Sequence, residues 1–266
     1  MLDNSRPIGV FDSGIGGLTV VKNIMELLPN ENIIYFGDIA RIPYGTKSKS
    51  TIKKFASQTV KFLIDKNVKA IIIACNTISA IAKDIVQELA GDIPVIDVIT
   101  AGVSLVENIN KVGVIATPAT INSNAYTLQI HQKNPDIEVY STSCGLFVSM
   151  IEEGFIQGQI VELIAKEYLN YFYDKDIQAL ILGCTHYPII KDSIAKVLNV
   201  KLIDPSLQAT KMLYSLLYKN NLLNLCNSVS QYNFYVTDIP IKFKSIGEMF
   251  LQKEMQNLEI IDLDKY

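Results

Sequence analysis

Ala70-Ile71-Ile72-Ile73-Ala74-Cys75-Asn76-Thr77 is a short apolar run that stops at a cysteine and gives way to small polar residues. Its counterpart, 109 residues later, is Ala179-Leu180-Ile181-Leu182-Gly183-Cys184-Thr185-His186. Runs of this length, rich in aliphatic and β-branched side chains, predict strands buried on both faces, as in a parallel sheet. Each cysteine is followed by a segment of helical character. One strand–Cys–helix unit therefore occurs twice. Two such units can bring two thiols to one substrate from opposite sides, and a reaction that needs opposed proton-transferring groups is exchange at a stereocentre.

The repeat widens beyond the cysteines. Strands are predicted at 8–11, 33–36, 70–74 and 95–97, and again at 112–116, 137–140, 179–183 and 201–204. Ile8 and Val112 are 104 residues apart, Ile33 and Ile137 again 104, and Asp97 and Asp204 107. Near-constant offsets over four strands read as an internal duplication. Helices are predicted at 17–28, 48–66, 79–90, 119–133, 158–173, 189–198 and 206–220, with Ser48 and Ser206 as N-caps. The remainder holds a strand at 232–236, a short helix near 246–251 and a strand at 258–261. The expected fold is α/β: two similar lobes, each a mostly parallel sheet flanked by helices, with the active site in the cleft between them. Residues 1–98 and 208–266 form the first lobe, the tail packing on it, and 99–207 the second.

Composition narrows the classes of function. Of 266 residues 49% are hydrophobic, enough for a sizeable core, and the net charge of −3 carries no basic excess for nucleic acid. No run approaches the roughly 18 apolar residues of a membrane span. Met1 to Pro7 lacks the layout of a signal peptide, so a cytoplasmic protein is expected. Cys75, Cys144, Cys184 and Cys226 show no CxxC spacing, and free thiols are expected, with Cys144 and Cys226 in packing roles. With only His131 and His186, no metal site is expected.

Ligands of open α/β sheets sit outside the carboxyl ends of the strands. Asp12-Ser13, Cys75-Asn76-Thr77, Thr117 and Cys184-Thr185-His186 all fall there. A free cysteine is usually a small buried hydrophobe. Two at matched positions of a repeat, each opening a helix whose N-terminus favours a thiolate, reverse that reading. Asp12-Ser13-Gly14-Ile15-Gly16-Gly17 could cap a helix, and with Asp38 it raises a dinucleotide fingerprint. That pattern fails at Thr19, where a third glycine is required, and Asp12 would repel a pyrophosphate. Asp12 is better suited to meet an ammonium group or to orient a base. His186 either protonates and orients or is a satisfied polar residue. The Pro43-Tyr44-Gly45 turn could approach a ligand closely, Thr117 and Thr120 could cap a helix or bind a carboxylate, and Glu152 reads by default as a solvated helix end.

Five segments, in this order, carry a resemblance. They are Phe11-Asp12-Ser13-Gly14-Ile15-Gly16-Gly17-Leu18, Pro43-Tyr44-Gly45, Ala74-Cys75-Asn76-Thr77, Ala116-Thr117-Pro118-Ala119-Thr120 and Gly183-Cys184-Thr185-His186-Tyr187-Pro188. Together they resemble the bacterial glutamate racemases over residues 6–210. Ser143-Cys144-Gly145 is a local departure, where the family often has Ala-Cys-Pro. The resemblance implies a cofactor-independent homodimeric isomerase interconverting L- and D-glutamate and supplying the D-isomer to peptidoglycan. It implies Cys75 and Cys184 as bases, facing the proton of D- and L-glutamate respectively. Asp12, Glu152 and His186 would be auxiliary groups. Asp12-Ser13, Tyr44-Gly45, Asn76-Thr77 and Thr185-His186 would hold the substrate. The chemistry is coherent, because a weakly acidic α-proton needs either an electron sink or a strongly stabilising environment, and no Schiff-base lysine is apparent. Racemisation of aspartate or hydantoins, or amino-acid binding without chemistry, are the other readings.

Overall fold

The apolar runs fold into two parallel sheets. The computed structural model describes residues 4–226, 229–241 and 243–266; Met1-Leu2-Asp3, at the head of the N-terminal segment read above, lies outside them. The first sheet contains β1 (Ile8–Asp12), β2 (Ile33–Gly37), β3 (Ala70–Ile73) and β4 (Val95–Asp97). The second contains β5 (Lys111–Ala116), β6 (Glu138–Ser143), β7 (Ala179–Gly183) and β8 (Lys201–Ile203). The first sheet runs β2-β1-β3-β4, and the second repeats that order as β6-β5-β7-β8. Register repeats as well, Ile8 lying beside Ile33 and Val112 beside Val139. The duplication legible in the offsets is thus a duplication of topology.

Helices cover both faces. They are α1 (Leu18–Leu27), α2 (Lys49–Asp65), α3 (Asn76–Ala90), α4 (Val98–Ser104), α5 (Pro118–Asn122), α6 (Ala125–Lys133), α7 (Leu146–Glu152), α8 (Gln159–Leu169), α9 (Lys191–Val197) and α10 (Pro205–Lys219). Successive residues of a strand point to opposite faces. Ile72 of β3 accordingly joins the core with Leu18 of α1 and Leu213 of α10. Ile71 and Ile73 join the core with Val60 of α2 and Val86 of α3. The first of these cores continues to Leu182 of β7 and to Tyr187, so one apolar mass runs under both sheets.

The tail supplies β9 (Tyr232–Val236), α11 (Phe243–Leu251) and β10 (Leu258–Ile260). β9 adds in parallel to β2, and β10 to β9, which makes the first sheet six-stranded. A buried ion pair ties the start of the tail down. Lys69 Nζ lies 2.5 Å from Glu31 Oε2 and donates to the carbonyls of Asn4 (2.6 Å) and Leu222 (2.8 Å). Glu31 Oε1 accepts from the Asn224 N–H at 2.9 Å.

Several boundaries differ from those expected. The helix expected over 119–133 is two helices, because Ser123 turns its hydroxyl onto the Thr120 carbonyl (2.6 Å) and Asn124 adopts a left-handed φ of 56°. Ser and Asn readily make such local bonds at the expense of a helix. β6 starts one residue later than expected and runs on to Ser143, on the free edge of the second sheet, where its half-exposed polar residues hid its end. α10 is capped by Asp204, whose Oδ1 accepts from the Ser206 N–H at 2.9 Å; Ser206 itself accepts from Asn23. Asp97 likewise caps α4, taking the Thr100 N–H at 2.9 Å. Ser48 caps α2 as expected. Among the described residues no helix is long and apolar enough to cross a membrane.

Candidate active site

A strand order of 2-1-3-4 places a topological switch beside its second-listed strand, and crevices open there at the carboxyl ends. Asp12 ends β1 and Cys75 follows β3, on either side of the first switch. Thr117 follows β5 and Cys184 follows β7, on either side of the second. The two sets of turns face each other across a cavity of about 370 Å³, near the small end of the roughly 300–1,000 Å³ common for ligand sites. Ser13, Pro43, Tyr44, Gly45, Cys75, Asn76, Thr77, Thr117, Glu152, Cys184, Thr185 and His186 all line it. Asp12 and Thr120 stand just behind the wall, each 1% exposed. Among the described residues that line the cavity, none is Lys or Arg.

Cys75 is the N-cap of α3, which begins three residues earlier than expected. Its Sγ lies 3.3 Å from Ser13 Oγ. The N–H groups of Ile78 and Ser13 favour a thiolate, as a helix start should, but they are outweighed. Burial first, and the Asp12 carboxylate second, push the Cys75 thiol up to about 12. Cys75 therefore rests as a neutral thiol.

Cys184 departs from the symmetric expectation. It opens a turn into a 3-10 helix, Tyr187–Ile190, and α9 starts only at Lys191, so no α-helix N-terminus is aimed at its sulfur. Its partner is a side chain. His186 Nδ1 lies 3.8 Å from Cys184 Sγ, and His186 Nε2 lies 3.0 Å from Glu152 Oε1. Burial works against the imidazolium, yet the bonds to Cys184 and Glu152 win and carry His186 up to about 10. Glu152, which ends α7, is therefore a fixed partner and not a solvated helix end. The Phe250 ring of α11 meets the His186 ring edge-on at 5.7 Å between centroids.

Around the two thiols lies a frame of neutral polar groups. Thr77, Thr117 and Thr120 form a triangle of hydroxyls with sides of 2.9, 3.3 and 3.1 Å, joining α3 to α5 across the cleft. Asp12 Oδ2 accepts from Gly17 N (2.8 Å) and Gly14 N (3.4 Å), so the capping reading of this turn holds in part. Asp12 Oδ1 has no hydrogen-bond partner among the described residues. Burial raises the affinity of Asp12 for a proton, with His186 and the three N–H groups of its own turn opposing. Tyr44 donates to Asp38, which also accepts from Arg41 Nε (2.6 Å) and Thr237 Oγ (2.9 Å). With its carboxylate engaged three ways, Asp38 is no ribose ligand.

Two glycines are where the turns approach too closely for a side chain. A Cβ on Gly16 would overlap Thr185 Oγ1 and the His186 ring, and one on Gly45 would lie 2.9 Å from Thr117 Cβ. Sequence reasoning missed Ile42, Gly145, Val148 and Ser149, which also line the cavity. The last three stand at the start of α7, just after a β6 whose end the sequence reading set three residues short.

A family model described as Asp/Glu/Hydantoin racemase matches residues 8–213. The glutamate racemase of Neisseria meningitidis is 47% identical over 267 residues, 98% of each chain. The crystal structure of glutamate racemase from Francisella tularensis in complex with D-glutamate is similar at a TM-score of 0.97, with 79% identity over 99% of this chain and 100% of that one. Glutamate racemase from Thermus thermophilus, in complex with beta-chloro-D-alanine, gives a TM-score of 0.89 at 36% identity over 99% and 100%.

Proposed function

This chain belongs to the Asp/Glu/hydantoin racemase family, and from that premise we propose that it interconverts L- and D-glutamate, without a cofactor, by two-base proton transfer at Cα. The observation that carries this reading is that Cys75 and Cys184, one from each sheet, open onto the same cavity. The substrate is taken from the relatives named above. Supply of D-glutamate to peptidoglycan, a cytoplasmic location and a homodimeric state belong to the same proposal and rest on the family resemblance.

In this reading one cysteine enters as a thiol and the other as a thiolate. Cys75, held as a thiol, is the acid. Cys184, with His186 Nδ1 3.8 Å from its sulfur and His186 Nε2 3.0 Å from Glu152 Oε1, is read as the base toward L-glutamate. L-Glutamate loses its α-proton to Cys184 Sγ, and the electron pair passes into the carboxylate as enediolate character. Cys75 Sγ–H delivers its proton to the opposite face, giving D-glutamate. The thiolate is now on Cys75 and the thiol on Cys184, the form that accepts D-glutamate. Thr77, Thr117, Thr185 and Asn76 offer neutral donors to the two substrate carboxylates. Neutral dipoles fixed in a water-poor cavity stabilise developing charge without reorganising. The unpartnered Asp12 Oδ1 supplies an acceptor suited to the substrate ammonium group.

The test uses cofactor-free, metal-free protein with L-glutamate in heavy water. Deuterium should enter Cα as optical rotation decays to zero. Cys75→Ala should lose at least about 10³-fold in turnover, within the range for removal of a general acid or base, and keep its fold. Robust racemisation by that variant would sink the two-base assignment. Activity on aspartate alone would move the substrate assignment to aspartate, and silence on both would favour binding without chemistry.

A further inference from the structure

Tyr126 stands at the head of α6 and crosses the cleft to the residue next to Cys75: its hydroxyl donates to Asn76 Oδ1 at 2.7 Å. We propose that Tyr126 is a positioning residue for the reaction, holding the Asn76 amide with its Nδ2 turned to the cavity as a carboxylate donor. This rests on the reading of the cavity as an amino-acid site. An amide is an acceptor at one end and a donor at the other, and half a turn about its last torsion exchanges them. Only the donor end can bind a carboxylate.

A phenol is the group that removes this ambiguity. Tyr126 is 3% exposed, and burial, with Asp97, Cys184 and Asp204 nearby, raises its affinity for its proton well above the ordinary value. It stays neutral and donates, and a donor selects Oδ1. Among the described residues no protein acceptor takes Asn76 Nδ2, although Asn76 is itself only 4% exposed and lines the cavity. The free donor therefore faces the cavity that both thiols line.

The ring is held as tightly as the hydroxyl. A Cβ on Gly183 would sit 3.1 Å from Tyr126 Cε2, and one on Gly102 would sit 3.4 Å from Cε1. Gly183 immediately precedes Cys184. One side chain thus touches the residue after the first cysteine and the residue before the second. What aims it there is the break at Asn124, whose left-handed conformation separates α6 from α5. A single helix through 119–133 would present residue 126 in another direction.

The experiment is a double-mutant cycle of Tyr126→Phe and Asn76→Ala, with KM and kcat read for both enantiomers of glutamate. Phe keeps the ring, and unchanged thermal melting verifies the fold. Tyr126→Phe should raise KM roughly two- to tenfold, the worth of one neutral hydrogen bond, and leave kcat nearly unchanged, as loss of uniform binding does. In the Asn76→Ala background the same change should add nothing. A KM equal to that of the unaltered protein overturns the proposal, as does an equal factor with and without Asn76, which would mark a purely structural ring. A second reading needs no turnover. The 15N side-chain amide signals of Asn76 in the substrate-free protein should shift or broaden in Tyr126→Phe, and unchanged signals overturn the proposal too. If the unaltered protein fails to racemise glutamate, the proposed function falls, and these signals still report whether Tyr126 holds Asn76.

Discussion

At His186 burial and hydrogen bonding pull in opposite directions, and the direction of the net shift has a consequence for stability. The folded value is raised from 6.5 to about 10. A group raised on folding contributes stability that is fully present below its unfolded value and is lost as pH rises through the folded one. The difference in melting temperature between the unaltered protein and His186→Gln should therefore be largest at pH 6.5 and below, and should shrink as pH approaches 10. A difference that stays constant across that window refutes the assignment. At this scale the sequence was informative about identity and poor about surroundings. Cys75 and Cys184 are visible as strand-end residues of a repeat, because strand ends are local features. That Ser13 lies beside one thiol and Glu152 behind the other's histidine depends on contacts 62 and 34 residues apart in the chain. Glu152 read as a solvated helix end because nothing within its own helix reveals its partner.

Turns set the distance between the lobes, and the β1–α1 turn is the tightest of them. Gly16→Ala would drive a methyl group into Thr185 and His186. Overpacking of this kind costs about 1–3 kcal/mol. Urea unfolding should record that loss, and kcat should fall with it because the His186 ring is the group displaced. Unchanged stability and unchanged turnover together would contradict the contact. Elements were legible where they are buried on both faces, as β1, β3, β5 and β7 are. The end of β6 was read three residues short because an edge strand carries little apolar signature, and α5–α6 was read as one helix because both halves have helical periodicity. The interruption there is conformational, lodged in Ser123 and Asn124, and a pattern of hydrophobicity does not register it.

At the scale of the molecule, the near-constant offsets between matched strands make the duplication legible in the sequence. They could not show that the tail joins a sheet, since a short strand such as β9 chooses its neighbour by three-dimensional opportunity. The Lys69–Glu31 pair guards that choice, linking the start of β3 to Asn4, Leu222 and Asn224. Lys69→Met would strand the Glu31 carboxylate in an apolar interior, at about 3–5 kcal/mol. Denaturant unfolding should register that loss, and Lys69→Met with Glu31→Leu should recover most of it. A single variant as stable as the unaltered protein would show the pair to be dispensable. Asp97 and Asp204 mark a further property of the whole. Asp97 ends β4 and Asp204 follows β8, matching edge strands of the two sheets, and each caps the helix that carries the chain across to the other side. Two attachment points define a line, as the paired hinges of a door do. That the two thiols look at one cavity from different halves is then a matter of carpentry, set by the way the halves are joined at these two crossings.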